Sequence, residues 1–312
     1  MNIIEVKKIL DCVIMDQCSD GSFNDQLLIK NLLSERISAD KVENPCTELR
    51  ELNSERIIKF KRLITSIAEY CDELDIQYYL PKAFQHYPDM GNDIDLFINI
   101  DTKKRKDFIK HFELAADETS FLNVISGKNA YLYKDEIPLE THQYAGHFGE
   151  FKALTQEFYG DLILENGVYQ LSDEFKFLNQ IIQRFFGHFT IRLSDIIYSI
   201  NLLNKGIDLE FVRTKSLEHG FEAALDEYFV FIFQNFSGYV SRHYQSTNFH
   251  GERLTKVVIS GEQFVIPKRF AIRLYCHKFL SDLAHLRIYS AMKMFGAPVM
   301  GAVLIFRKLF RA

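Results

Sequence analysis

The chain has 312 residues, 47% of them hydrophobic and 25% charged, and a formal net charge of −5. That length is long for one domain and comfortable for two, and the composition belongs to a chain that folds around a sizeable core, not to a disordered one. No apolar run reaches the roughly eighteen residues of a membrane span, and five cysteines without paired short spacing argue against a disulfide scaffold or zinc knuckle and for a reducing cytosol.

In chain order, Ile3, Val6, Leu10 and Val13 form an apolar stripe interleaved with Glu5, Lys7, Lys8 and Asp11. This pattern predicts an amphipathic helix and not the basic-then-apolar layout of a signal peptide. A second helix is expected over Leu27 to Ile37 after Asp25, with Pro45 closing the section. Ser54 reads as the N-cap of a third, whose Ile57, Phe60, Leu63, Ile64 and Ile67 share one side. The period then changes. Ile76 to Leu80 and Ile94 to Ile98 are β-favouring runs separated by a turn-rich stretch, and Lys103 to Ala116 is again helical. Tyr131 to Tyr133 and Ile137 to His142 flank Lys134-Asp135-Glu136 as a hairpin, with further strand pieces at Leu162 to Leu164 and Val168 to Leu171.

From Ser172-Asp173-Glu174 the chain turns helical, with pieces at Leu178 to Phe186, Leu193 to Leu203 and Phe221 to Phe236. Tyr228, Phe229, Phe231, Phe233 and Phe236 make the last of these apolar all round, as a buried helix is. The stretch Thr255 to Ile266 reads as a hairpin around Ser260-Gly261. Two final helices are expected at Arg269 to Met294 and Val299 to Phe310, separated by Gly296 and Pro298. His243, His250, His277 and His285 fit no zinc spacing. Charge divides the chain: residues 1–150 hold 18 basic and 27 acidic side chains, whereas from Ser241 onward 12 basic residues face only Glu252, Glu262 and Asp282. A basic end of this kind meets phosphates, an acidic membrane surface, or the acidic front of its own chain.

The chemistry concentrates in Gly91-Asn92-Asp93-Ile94-Asp95-Leu96-Phe97-Ile98. Strand alternation turns Asp93 and Asp95 to one face and Ile94 and Leu96 to the other. Two carboxylates this close repel unless a cation or a proton lies between them, and Mg²⁺ prefers a few carboxylate oxygens together with substrate phosphates. A third carboxylate from a neighbouring strand would complete a two-metal site. Glu140, with His142 on its face by alternation, is the candidate.

A strand, a turn-rich link, the Gly91-Asn92-Asp93-Ile94-Asp95-Leu96 segment and the later acidic strand Leu139-Glu140-Thr141-His142 together resemble the nucleotidyltransferase fold of the DNA polymerase β superfamily, and most of all its bacterial and archaeal nucleotidyltransferase-like branch. The resemblance takes in residues 54–205, Arg192-Leu193-Ser194-Asp195 included. Together with the element order and charge read above, it gives an α+β fold: a small mixed β-sheet core over 53–171, an N-terminal helical segment over 1–52, and a helical C-terminal domain with a basic tail over 172–312. It implies transfer of a nucleoside monophosphate from a nucleoside triphosphate to a hydroxyl-type acceptor, which is a small molecule, a protein side chain or an RNA end. Asp93, Asp95 and Glu140 would be catalytic and hold Mg²⁺ or Mn²⁺, with Glu140 helping to deprotonate the acceptor. Lys82, Gly91, Asn92 and His142 would contact the nucleotide.

The sequence departs from the family at Pro81-Lys82-Ala83-Phe84-Gln85, where a small Gly-Ser or Gly-Gly pair is usual. Lys82 offers phosphate a point charge there without the close backbone approach of glycine. That departure keeps a second reading open: a catalytically silent nucleotide-sensing or interaction module whose basic C-terminus binds a membrane or an acidic partner. Arg192 and Asp195 read as helix capping. The expected location is cytoplasmic, with peripheral contact at the inner face of the membrane through 294–312, where Phe306-Arg307-Lys308-Leu309-Phe310-Arg311 mixes apolar and basic residues.

Overall fold

In the computed structural model, which describes residues 3–13, 45–81, 93–116, 128–134, 137–146, 149–241, 258–260 and 263–294, the apolar period from Phe60 to Cys71 builds the buried face of a long helix. Helix α1 covers Ile3–Val13 and α2 covers Pro45–Glu73. Pro45 opens α2 instead of closing the preceding section, and Ser54, the expected N-cap, lies inside the helix. Proline at a first turn loses no hydrogen bond that a helix would make, and Leu49 to Glu51 are good helix formers, so they carry the helix upstream past the capping signal.

The main sheet contains β1 (Tyr78–Tyr79), β2 (Ile94–Ile98), β3 (Ala115–Ala116), β4 (Lys128–Tyr133) and β5 (Ile137–His142), in spatial order β1-β2-β5-β4-β3. It is mixed: β2 and β5 run parallel, and the other pairs are antiparallel. Helix α3 (Thr102–His111) joins β2 to β3. It is shorter than expected, since Glu113 takes a left-handed φ of 50° and turns Ala115-Ala116 into an edge strand against β4. Asp101 caps α3 by accepting from the Lys104 N–H at 2.8 Å.

Alternation along β2 separates two apolar clusters. Ile94, Leu96 and Ile98 pack with Phe60, Ile64, Ile67 and Phe108 on one side. Phe97 and Tyr79 face the other, with Phe151 and Phe158. Helix α4 (Lys152–Gly160) leads to the two-stranded β6 (Leu162–Glu165) and β7 (Val168–Leu171), and the Leu80 N–H donates to the Tyr169 carbonyl at 3.0 Å, tying this ribbon to the end of β1.

The helical part starts with α5 (Asp173–Ile182), which passes into a π-helical turn over Gln183–His188, then β8 (Thr190–Ile191), α6 (Leu193–Lys205), α7 (Leu209–Glu218) and α8 (Glu222–Phe236). At the start of α6 the Asp195 carboxylate accepts from the Arg192 backbone N–H at 2.7 Å and ion-pairs with buried Arg184 at 2.9 Å, so the capping expectation for Asp195 holds and a buried charge pair is added to it. Inside, Gln180 donates to the Ser199 hydroxyl and the Tyr228 hydroxyl at 2.8 and 2.9 Å. The hairpin at Ser260 is present as β9 (Val258–Ser260) and β10 (Gln263–Val265), and β10 also pairs with β8 in a small second sheet. The expected single helix over Arg269 to Met294 is two, α9 (Lys268–Ala284) and α10 (Ile288–Met294), because Leu286 takes a φ of 56° between them. The helices expected at Leu27 to Ile37 and Val299 to Phe310 lie outside the described residues.

The architecture is therefore α+β, a small mixed sheet flanked by helices. Among the described residues no helix is long and apolar enough to cross a membrane. Cys71 and Cys276 are free thiols, and burial pushes the Cys71 thiol up to about 12.

Candidate functional site

The parallel register of β2 and β5 sets Asp95 opposite Glu140 and Phe97 opposite His142. Alternation then divides the two strands in the same way. Leu96, Leu139 and Thr141 are buried on the far face, and Asp95, Glu140 and His142 stand together on the near one. One oxygen of each carboxylate and one imidazole nitrogen lie within 4.8 Å of one another. The His142 Nε2 is 3.0 Å from Asp95 Oδ1 and 3.7 Å from Glu140 Oε2. The ring of His142 stacks on Phe97 at 4.9 Å, and Phe97 stacks on Tyr79 at 4.7 Å, so a pile of three rings fixes the imidazole plane against the sheet.

The register of β4 against β5 places Lys128 opposite His142. From there the Lys128 ammonium ion-pairs with Glu140 Oε2. Burial, and after it the Asp95 charge, raises the Glu140 carboxyl above the ordinary carboxylate range; Lys128 offsets part of that, and Asp93 adds to it. Asp93 is thus near enough for its charge to reach Glu140, although its carboxylate stands outside the three-donor group. Among the sequence candidates, then, the structure gathers Asp95, Glu140 and His142, with Asp93 at the head of β2. Lys82, Gly91 and Asn92 lie outside the described residues, as does the 295–312 part of the segment expected at the membrane.

Two carboxylates and an imidazole suit a divalent cation chemically. The oxygens match Mg²⁺ or Mn²⁺, and the nitrogen either ligates the softer of these or holds Asp95 by donating its Nε2–H. Lys128 and the ring pile are the parts that sequence reasoning missed. The hairpin carried the signal for Lys128, because pairing Tyr133 with Ile137 across the turn and counting back brings Lys128 to His142.

A second group, Glu157, Glu218 and His219, also brings three donor atoms within 4.8 Å. Here Lys215 Nζ already sits 2.9 Å from both carboxylates, and His219 Nε2 is 2.8 Å from Glu157 Oε1. A lysine supplies the positive charge, and the cluster ties α4 to α7. Burial pushes the His219 imidazole down to about 4, against the pull of Glu157.

No protein-family model and no curated protein matches the chain. Among solved structures the chain is similar to an antigenic nucleotidyltransferase-like protein from Paracoccidioides brasiliensis, at 17% identity over 51% of this chain and 87% of that one, with a TM-score of 0.29. An overlap that loose carries no weight in assigning chemistry, which rests on the side chains of β2, β4 and β5.

Proposed function

We propose that the protein is a divalent-cation-dependent nucleotidyltransferase that moves a nucleoside monophosphate from a nucleoside triphosphate to a hydroxyl-type acceptor. The observation that carries this reading is the convergence of Asp95 and Glu140 from adjacent parallel strands, with His142 on the same face. Asp95 and Glu140 would hold Mg²⁺ or Mn²⁺ with Asp93 beside them, and the ion would neutralise phosphate charge and acidify the acceptor hydroxyl. Glu140 takes the acceptor proton as the acceptor oxygen bonds to the α-phosphorus. The bond from that phosphorus to the bridging oxygen breaks, and pyrophosphate leaves with its electron pair. His142 orients Asp95, and the Phe97 and Tyr79 rings orient His142.

The test is thermal unfolding with each nucleoside triphosphate, with and without Mg²⁺ or Mn²⁺, on the parent chain and on Asp95→Asn. A ligand at a hundred times its dissociation constant stabilises the fold by about 2.7 kcal/mol. A metal-dependent rise that is lost in Asp95→Asn is expected, followed by pyrophosphate release once an acceptor is supplied. Equal melting temperatures with and without every nucleotide at millimolar concentration would overturn the reading.

A further inference from the structure

We infer that Lys128 is the built-in counter-ion of the site, so that a divalent cation reaches Glu140 only by displacing the Lys128 ammonium. The inference rests on the metal reading of Asp95 and Glu140 and adds the way in which that site is regulated. Asp93, Asp95 and Glu140 bring three carboxylates to the top of β2 and β5, and like charges this close repel unless a proton or a cation lies among them. Lys128 supplies the cation. Its ammonium bonds Glu140 Oε2, the oxygen that also lies 3.7 Å from His142 Nε2, on the side of the site where an ion would bind. A metal ion and an ammonium repel each other at one oxygen, so the two compete for it.

The geometry lets the lysine leave. Lys128 is the first residue of β4, and its side chain is 31% exposed against 18% for Glu140, so the flexible stem has solvent to swing into while the carboxylate stays put. A lysine suits such an exchange better than an arginine, because a single point charge gives up one contact and not a bidentate pair. Lys215 in the second cluster differs: it bridges two carboxylates at once.

The experiment measures Mn²⁺ binding by electron paramagnetic resonance and by calorimetry on the full chain, comparing the parent with Lys128→Met, Lys128→Gln and Asp95→Asn. The two Lys128 variants guard against a folding defect in either one. Both are expected to bind Mn²⁺ roughly tenfold tighter than the parent, the size of one charge-assisted hydrogen bond no longer in competition. Without metal both are expected to melt below the parent, and saturating Mn²⁺ should remove that deficit. Parent-like or weaker Mn²⁺ binding in both variants, with binding still lost in Asp95→Asn, would overturn the counter-ion role and leave the metal site standing. Absence of Mn²⁺ binding in the parent and in both Lys128 variants would overturn the metal reading itself, and this inference with it.

Discussion

His219 gives the fold a measurable weakness toward acid. Its side chain is 3% exposed, and its Nε2 sits 2.8 Å from Glu157 Oε1. Burial lowers the imidazole to about 4, with Arg287 and Lys278 adding to the shift and Glu157 opposing it. In the unfolded chain the same group titrates at about 6.5. Because the folded value is the lower one, the unfolded chain binds the extra proton between these limits. The stabilisation is complete above about pH 6.5 and is lost as pH falls toward about 4. The difference between the two values corresponds to about 3 kcal/mol in full, of which about 2 kcal/mol disappears between about pH 7 and about pH 5. Other groups titrate across the same window, so the quantity to measure is the difference between the parent and His219→Gln, whose amide keeps a donor for Glu157 and cannot charge. Urea unfolding at the two pH values should show the parent losing about 2 kcal/mol more than the variant. Equal losses in the two proteins, or an imidazole NMR titration of folded His219 near the unfolded value, would refute the assignment of burial as the winning effect.

Two further outcomes follow from the geometry. Gly220 has a φ of +71°, and a Cβ there would stand 2.4 Å from Ser281 Oγ and 2.5 Å from Ser281 Cβ on α9. Gly220→Ala should therefore cost about 3 kcal/mol in denaturant unfolding, with Gly220→Ala/Ser281→Gly recovering the clash and not the backbone strain. At the site, Asp95 is the second cause of the raised Glu140 carboxyl after burial, so Asp95→Asn should move the Glu140 titration toward the ordinary value while leaving it above. Carboxyl-carbon NMR reads this directly, and an unmoved titration would show that the two charges do not face each other.

Local chemistry was legible in the sequence wherever the reason for an element lies within the element. The alternation in Ile94 to Ile98 and Ile137 to His142, the hairpin across Lys134, and the ring-rich α8 follow from period and composition alone. Where neighbours decide, the bounds of elements were not legible. Helix α7 fully buries only Val212 and Ser216 among its ten residues, with Leu209 and Phe211 half-buried against the same core, so its apolar stripe is short; the clearer signal was Asp208, whose carboxylate accepts from the Glu210 and Phe211 N–H groups. The break after α9 puts a leucine in the left-handed region, and no local rule predicts it. It is held from outside by the Arg287 N–H on the Asp282 carbonyl and by the Arg287 guanidinium on the Glu218 carbonyl of α7.

The site lies between these cases. Asp93 and Asp95 are visible as a pair, but a one-residue slip of β5 would send Glu140 and His142 to the far face and leave Lys128 without its partner. Only the tertiary register makes a cluster of them, and it does so at a particular boundary. Along the near face of β2, Phe97 belongs to the large helical core, and two residues earlier Asp95 stands at that core's rim. Apolar packing on one side removes water from Glu140, and the open side admits the charged groups that Glu140 must meet. The same placement that raises its proton affinity therefore also leaves it within reach of a ligand. A carboxylate deeper in the core would stay neutral and inaccessible, and one farther out would stay ionised in water, so the rim is where burial and access act on a single side chain.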